Sequence, residues 1–483
     1  MPPAVRAAAA VQVVNRRRGN DGMMLDVTAS SPQPRDALPP PLRIVILAAG
    51  AGGMFCGSCL RDSALAAALI RAGQHVTLVP LYTPLRTEGD SPAIDRIFYG
   101  GVNVYLQHAS RLFRHTPRLL DRLFDSPALL RLAGTLGAQT SPSRLGGLTL
   151  DVLRGEDGAS AKELRRLLTF LAELRPDIVS LPNLMFLGAA RLLRRELGVP
   201  VVCELTGEDL FLGQLVEPHR SRVHNVIRER AHDVTSFVST SAYYADQMAA
   251  YLGVPRTRID VVYPGVPHEY LSAPTRPRST DRPPTVGFLA RICPEKGFGR
   301  LLEAMALLRQ MPGMSTAQAV AGGYLGAGDR KWFRAAMQTS PTGAVRYVGE
   351  LDYQAKLDML DGVDVVCVPT VHPEPKGIYV LESLARGVPL VLPAHGSFPE
   401  LIEATGGGLL VPPGDATALA RTLAELLSDA PRRAQLGQAG HAAVRNAFTE
   451  DVMALRMLDF YRRSLGHGDS SDQRVVAMAE DAG

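Results

Sequence analysis

Three consecutive runs decide the fold: Asp364-Val-Val-Cys-Val-Pro-Thr370, then Val371-His-Pro-Glu374-Pro-Lys-Gly377-Ile-Tyr-Val-Leu-Glu382, then Ser383-Leu-Ala-Arg-Gly387-Val-Pro-Leu-Val-Leu-Pro393. The first is a continuous apolar run of strand length, which suits a strand buried on both faces of a parallel sheet. Pro373 and Pro375 exclude a helix across the next few residues. From Gly377 the pattern turns helical, with Ile378, Leu381, Leu384 and Ala385 on one face. Gly387 is a helix stop, and Val388 to Leu392 is the next buried strand. The unit is strand, loop, helix, strand. Its loop falls at the carboxyl end of a parallel sheet, where open α/β folds bind ligands. The N–H groups of Gly377, Ile378 and Tyr379 at the helix start attract phosphate. Glu374 precedes them, and Glu382 lies about 7.5 Å further along the axis at 1.5 Å per residue. An anion site between two carboxylates suits a sugar nucleotide, with the diphosphate on the helix and hydroxyl-bearing rings on either side.

Two glutamates separated by seven residues, with a glycine before the helix and Ala385-Arg-Gly387-Val-Pro389 after it, resemble the donor-binding motif of family 4 (group 1) glycosyltransferases. That family has the GT-B fold, two doubly wound Rossmann-like α/β domains facing across a cleft. The resemblance covers residues 43–465 and is densest from 285 to 413. Arg291 and Lys296, after a strand and before a helix, resemble the family's diphosphate-binding pair: Arg offers a planar fork and Lys a point charge. Gly396 and Ser397 match a family loop that also faces donor phosphate.

The remaining chain is consistent with this. The 483 residues allow two domains, and 21% charged with 46% apolar residues is ordinary globular composition. A net charge of +4 gives no reason to expect nucleic acid. No apolar run reaches the length of a membrane span. Five cysteines, an odd number, make no disulfide framework, so a reducing cytoplasm is the expected compartment. Cys56 and Cys59 form a CxxC without a thioredoxin-like context or a second ligand pair, and read as packing residues.

Residues 1–41 lack a packable pattern and make a poor secretory signal. Leu42 to Gly50 is a strand, followed by a turn with Gly52 and Gly53, a helix from Ser58 to Ala72, and a strand from His75 to Leu81. A dinucleotide site would want an acid at the end of that second strand, and Pro80-Leu-Tyr-Thr83 has none, so NAD is not expected. By resemblance, Gly52 and Gly53 face the cleft on the donor. Residues 84–160 read as irregular. Within them 111–133 carries five arginines among Leu and Phe and is a candidate peripheral surface for anionic lipid at the inner membrane face. From Lys162 strands and helices alternate. Thr206-Gly-Glu208-Asp209 follows a strand and resembles an acceptor-side family segment that often begins with His; Thr206 stands at that position here. Glu208 or Asp209 either contacts the acceptor or caps the next helix.

The expected organisation is an N-terminal segment 1–41, an acceptor-side domain 42–271, a linker 272–284, a nucleotide-sugar domain 285–447, a helix 448–465 crossing back to the first domain, and a disordered tail 466–483. By resemblance the activity is retaining transfer of a hexose from a nucleotide-diphosphate sugar to a hydroxyl acceptor (a glycan, a lipid-linked or a small molecule), with Glu374, Arg291 and Lys296 at the reacting centre and Glu382 on the ribose. The chain has no Asp-x-Asp, so no metal and no cofactor is expected. A GT-B-fold epimerase, a phosphorylase and a non-catalytic nucleotide-sugar-binding protein are the alternatives.

Overall fold

In the computed structural model the described residues are 40–50, 57–82, 93–94, 97–99, 145–272, 282–340 and 343–480, with side chains to 466. Gly52, Gly53, Cys56, the segment 111–133, most of the linker and almost all of residues 1–41 lie outside them.

The first sheet has six parallel strands: β1 (Arg43–Ala48), β2 (His75–Pro80), β3 (Ile178–Leu181), β4 (Val201–Leu205), β5 (Ser236–Ser239) and β6 (Ile259–Val261), in the order β2-β1-β3-β4-β5-β6. The second has β7 (Thr285–Leu289), β8 (Gln318–Gly322), β9 (Val345–Tyr347), β10 (Val365–Cys367), β11 (Leu390–Pro393) and β12 (Gly408–Val411), also parallel, in the order β12-β11-β10-β7-β8-β9. Both are doubly wound. Their inner strands are buried almost along their whole length because helices cover both faces, as a parallel sheet requires, while the edge strands β2, β6 and β9 carry exposed or half-exposed polar residues. In the second sheet the chain winds outward from β7 to β9, returns to β10, and winds the other way. The strand order therefore reverses between β7 and β10, which pair Val286 with Val365. A crevice opens at such a reversal because the loops leaving the two strands turn to opposite faces. Here those loops are Arg291–Gly297 and Val368–Gly377.

The helices used below are α1 (Gly57–Arg71), α2 (Asp209–Gly213), α3 (Ala242–Leu252), α4 (Phe298–Leu308), α5 (Ile378–Ala385), α6 (Phe398–Thr405) and α7 (Glu450–Glu480). One helix, Gly146–Leu153, falls in the stretch read as irregular. Its Leu148, Leu150 and Val152 alternate like a strand, and the packing against helix His219–Arg230 that makes it helical is tertiary: a Cβ on Gly146 would meet His219 Cβ at 2.5 Å. The last helix α7 runs to Glu480, past Leu465 where the sequence reading placed a disordered tail. Gly466 and Gly468 each disfavour helix by about 1 kcal/mol, which an established helix can absorb. Its Met453, Met457, Phe460 and Tyr461 are buried against Ile44, Ile46 and Val202 of the first sheet and Leu65 and Leu69 of α1. No helix among the described residues is long and apolar enough to cross a membrane.

Candidate functional site

Glu374 is 4% exposed, and its carboxylate is surrounded by the two loops at the β7–β10 reversal and the first turn of α5. Lys296 Nζ donates to its Oε2 at 2.5 Å, and Tyr379 Oη donates to the same oxygen at 3.4 Å. Its Oε1 faces the N–H groups of Lys376 at 3.3 Å and Gly377 at 3.5 Å. Burial pushes this carboxyl up, but the Lys296 ammonium, helped by the charge and N–H of Lys376, outweighs it and holds Glu374 below the usual carboxylate range. The carboxylate is thus its own loop's cap. It uses the N–H of Gly377, which the sequence reading assigned to phosphate. The N–H groups of Ile378 and Tyr379 are in the first turn of α5, which its own ladder never uses, and remain for a ligand.

Two glycines make this packing feasible. Gly297 has φ +76°, and a Cβ there would sit 1.7 Å from the carbonyl of Pro369. The Lys296 loop can therefore lie directly on the loop after β10, where Val371 and His372 donate backbone N–H to the Glu295 carbonyl at 2.9 and 3.2 Å. Gly396, at φ +63°, faces the Glu374 backbone nitrogen, which a Cβ would approach to 2.5 Å. The next residue, Ser397, donates its N–H to the Glu374 carbonyl at 2.8 Å. Its Oγ is fully buried at the start of α6 and has no hydrogen-bond partner among the described residues. A buried hydroxyl left unpaired costs about 1–3 kcal/mol, and that deficit is removed by a ligand oxygen or a water.

Arg291 stands in the first of the two reversal loops and Glu382 inside α5, and each has other partners. The Arg291 guanidinium is half-exposed and its nearest anion is Glu295, at 3.8 Å. Glu382 receives Tyr270 Oη at 3.0 Å and Lys356 Nζ at 3.2 Å. Sequence reasoning missed both partners: a Lys inside a short helix and a Tyr before a linker carry no local signal.

On the opposite side, the structure separates Glu208 from Asp209. Glu208 is buried and turns back on its own segment, accepting the N–H of Thr206 at 2.8 Å and of Leu184 at 3.1 Å. Burial pushes its carboxyl up, with no cation to offset it. It shapes the turn before α2. Asp209 accepts Tyr244 Oη at 2.9 Å and Gln247 Nε2 at 3.1 Å, and it pairs with His372 Nε2 at 3.2 Å. Burial pushes Asp209 up, but His372 and Tyr244 overcome that and hold it low. Thr206, where the family often has His, gives its backbone to Glu208. The imidazole at this side of the cleft comes from His372, two residues before Glu374 on the other sheet.

Among the described residues one trio, His268, Glu450 and Asp451, has ligand atoms within 4.8 Å of one another. Arg71 already pairs with both carboxylates, at 2.7 and 2.8 Å. Cys59, Cys203, Cys293 and Cys367 are all buried.

Known proteins share both halves of this arrangement. The family "Glycosyl transferases group 1" matches residues 274–443, and "Glycosyl transferase 4-like domain" matches residues 63–265. A D-inositol 3-phosphate glycosyltransferase of Salinispora tropica is 27% identical over 409 residues, 78% of this chain and 83% of that protein. A GDP-mannose-dependent monoacylated alpha-(1-6)-phosphatidylinositol monomannoside mannosyltransferase of Corynebacterium glutamicum is 28% identical over 200 residues, 40% of this chain; the match spans about half of that relative, 51%. Among solved structures, sucrose-phosphate synthase from Thermosynechococcus elongatus superposes with a TM-score of 0.63 at 19% identity, over 87% of this chain and 98% of its own. HepE of Anabaena, solved in complex with UDP and glucose, gives 0.60 at 15% identity, over 87% and 100%. The chain belongs to the group 1, or family 4, glycosyltransferases and has their GT-B fold of two Rossmann-like domains.

Proposed function

We propose that this protein transfers a hexose from a nucleotide-diphosphate sugar to a hydroxyl acceptor with retention of anomeric configuration and without a metal ion. The observation that carries the reading is the pair of buried Glu374 with half-buried Lys296 at the reversal of the second sheet, beside a helix start and the Ser397 hydroxyl, unpartnered among the described residues. The N–H groups of Ile378 and Tyr379, the Ser397 hydroxyl, Lys296 and Arg291 supply donors and positive charge for a diphosphate. That charge grows on the leaving group in the transition state, so groups fixed there lower the barrier. Glu374, ionised and held by Lys296, accepts hydrogen bonds from the hydroxyls of the reacting sugar. Glu382, with Lys356 and Tyr270, takes the ribose. A double displacement needs a nucleophile at the anomeric carbon, and Glu374 is committed to Lys296 and its own loop. A same-face transfer, in which donor phosphate takes the acceptor proton, fits these residues better.

Relatives named for GDP-mannose and neighbours solved with UDP support a pyrimidine or purine nucleoside diphosphate on the donor. Relatives acting on inositol phosphate and on phosphatidylinositol mannosides support a polyol or glycan hydroxyl as acceptor, at the face of Thr206 and Asp209. The test is a thermal-shift screen of UDP, GDP, ADP and their hexoses, followed by product analysis with the donor that binds. The expected result is a shift with one nucleotide, and an alpha-linked product from an alpha-linked donor. An inverted product would overturn the retaining mechanism, and no shift with any nucleotide sugar would overturn the donor class.

A further inference from the structure

The loop that carries Glu374 is completed by the other half of the molecule. Pro375 stands between Glu374 and the start of α5, and as a proline it has no N–H, so its carbonyl is its one backbone handle. Helix α5 does not use that carbonyl: its first acceptor is Gly377, which receives Val380 N–H at 3.0 Å. Both partners of the Pro375 oxygen come from the first domain. Ser241 Oγ donates to it at 2.7 Å and Thr240 Oγ1 at 3.1 Å. The two hydroxyls are buried, at 0% and 2% exposure. They follow β5, and Ser241 also caps α3 by accepting Tyr244 N–H at 3.1 Å. Cap and donor together fix the Ser241 rotamer, so its proton is aimed at Pro375 and nowhere else.

Neighbouring contacts hold the same loop from the same side. Gly207, at φ +97°, faces the Pro375 ring, which a Cβ would approach to 2.7 Å. Lys376 Nζ donates to Ser58 Oγ at 2.6 Å, at the start of α1. Glu400 of α6 accepts the N–H groups of Ala242 and Tyr243 at 3.1 and 3.4 Å, capping the helix that Thr240 and Ser241 introduce. Without Thr240 and Ser241 the buried Pro375 carbonyl has no partner among the described residues. An orphaned buried carbonyl destabilises the loop that presents it. The second domain alone therefore leaves the Pro375 turn, which presents Glu374, without this anchor, whereas the Ile378 and Tyr379 N–H groups are set by the first turn of α5 itself.

We propose that Thr240 and Ser241 are positioning residues for the transfer: their hydroxyls, reaching across the domain interface to the Pro375 carbonyl, set the geometry of the Glu374 loop, so the reacting centre is correctly built only when the two domains are together. The proposal rests on the reading of Glu374 as the residue at the reacting sugar. On that reading free nucleoside diphosphate is held by Glu382, Lys356 and the first turn of α5, none of which bonds to Thr240 or Ser241, so its affinity should not depend on the clasp. A misplacement of the loop lowers the rate of a step that requires alignment, without weakening that binding.

The experiment compares Thr240→Val, which keeps shape and removes the donor, with Thr240→Ser, which keeps the donor. Ser241→Ala is compared with Ser241→Thr in the same way, since Thr still caps the helix. Each variant is measured for kcat and KM with the nucleotide sugar that the screen identifies, for affinity to its nucleoside diphosphate by calorimetry, and for radius of gyration by small-angle scattering. The Thr240→Val/Ser241→Ala double variant is expected to lose at least tenfold in kcat, to bind nucleoside diphosphate within twofold of the wild type, and to show a larger radius of gyration. Thr240→Ser and Ser241→Thr are expected to recover most of the rate. Unchanged kcat, or kcat and nucleotide affinity falling together with no rescue by the conservative variants, would overturn the proposal. A wild-type protein with no nucleotide-sugar turnover would overturn the functional reading instead. In that case scattering decides the clasp by itself: an unchanged radius in the double variant removes it.

Discussion

Two glutamates, Glu374 and Glu208, sit in nearly the same local setting and are set apart by one lysine. Each is buried, at 4% and 6% exposure, and follows a strand of a doubly wound sheet by a few residues. Each accepts two backbone N–H groups, Glu374 from Lys376 and Gly377, Glu208 from Thr206 and Leu184. Burial pushes both carboxyls up. Only Glu374 has a cation against it, and only Glu374 is held low. Burial makes a carboxylate costly, and a partner charge decides whether it stays ionised near neutral pH. Glu208 is the scaffold of its turn; Glu374 is a fixed negative charge beside a helix start.

Removing that charge difference should have the largest effect. In Lys296→Met, Glu374 keeps its burial and loses its cation. Losing one group that stabilises charge on the leaving diphosphate costs about 3 kcal/mol in the transition state, so kcat/KM should fall by roughly a hundredfold or more. The pH profile should change with it. The wild-type acidic limb from Glu374 should lie below the ordinary carboxylate range, because its pKa is depressed. In the variant burial dominates, the carboxyl rises, and the limb should move to higher pH. The stability linkage has the same sign. A depressed carboxyl contributes stability above its unfolded pKa, which is lost as pH falls through the folded one. The Tm deficit of Lys296→Met should therefore shrink on acidification. An acidic limb that stays in place would show that Glu374 does not set it.

A direct exchange of the two carboxylates comes next. Glu374→Gln keeps the shape and the loop bonds and removes the charge, and kcat should drop by about a hundredfold, the order of a charged hydrogen bond. Glu208→Gln keeps one acceptor oxygen for the two N–H groups of Leu184 and Thr206, so it should lower stability, while kcat should stay within about threefold. Equal losses would erase the distinction between scaffold and reacting group.

Glu382 is a smaller lever on the same crevice. The ribose changes little during transfer, so Glu382→Gln should raise KM for the donor about tenfold with kcat nearly unchanged, and should weaken free nucleoside diphosphate alike. Glu374→Gln should leave free nucleotide affinity as it is, since that ligand lacks the sugar. The reverse pattern in calorimetry would swap the two assignments. The smallest effect is expected from EDTA: on the proposal that Lys296 and Arg291 supply the charge beside the diphosphate, turnover should be unchanged. Loss on chelation with rescue by magnesium or manganese would transfer the charge role to a metal.

The sequence by itself determined the alternation of apolar strands and amphipathic helices, and with it the two parallel sheets. It also marked the loop of Glu374 and the helix start at Gly377 by local rules, while Glu382 inside α5, Lys296, Gly396 and Ser397 were marked as candidates by resemblance to the family. Helix α3 was legible from its length and pattern, and Ser241 before it is an ordinary cap residue. That Ser241 and Thr240 also reach Pro375 was not legible, since hydrogen bonds between residues more than a hundred positions apart leave no local pattern. Nor were Tyr270 and His372 legible as the partners of Glu382 and Asp209, or Lys356, 26 positions from Glu382 and in another helix, or the helix Gly146–Leu153, whose alternating apolar residues became helical through packing on another helix. Glu208 and Asp209 were adjacent and equivalent on the sequence. Tertiary structure alone decided between them, because the pKa and the role of a carboxylate depend on which charge and which dipoles the fold brings within a few ångströms of it.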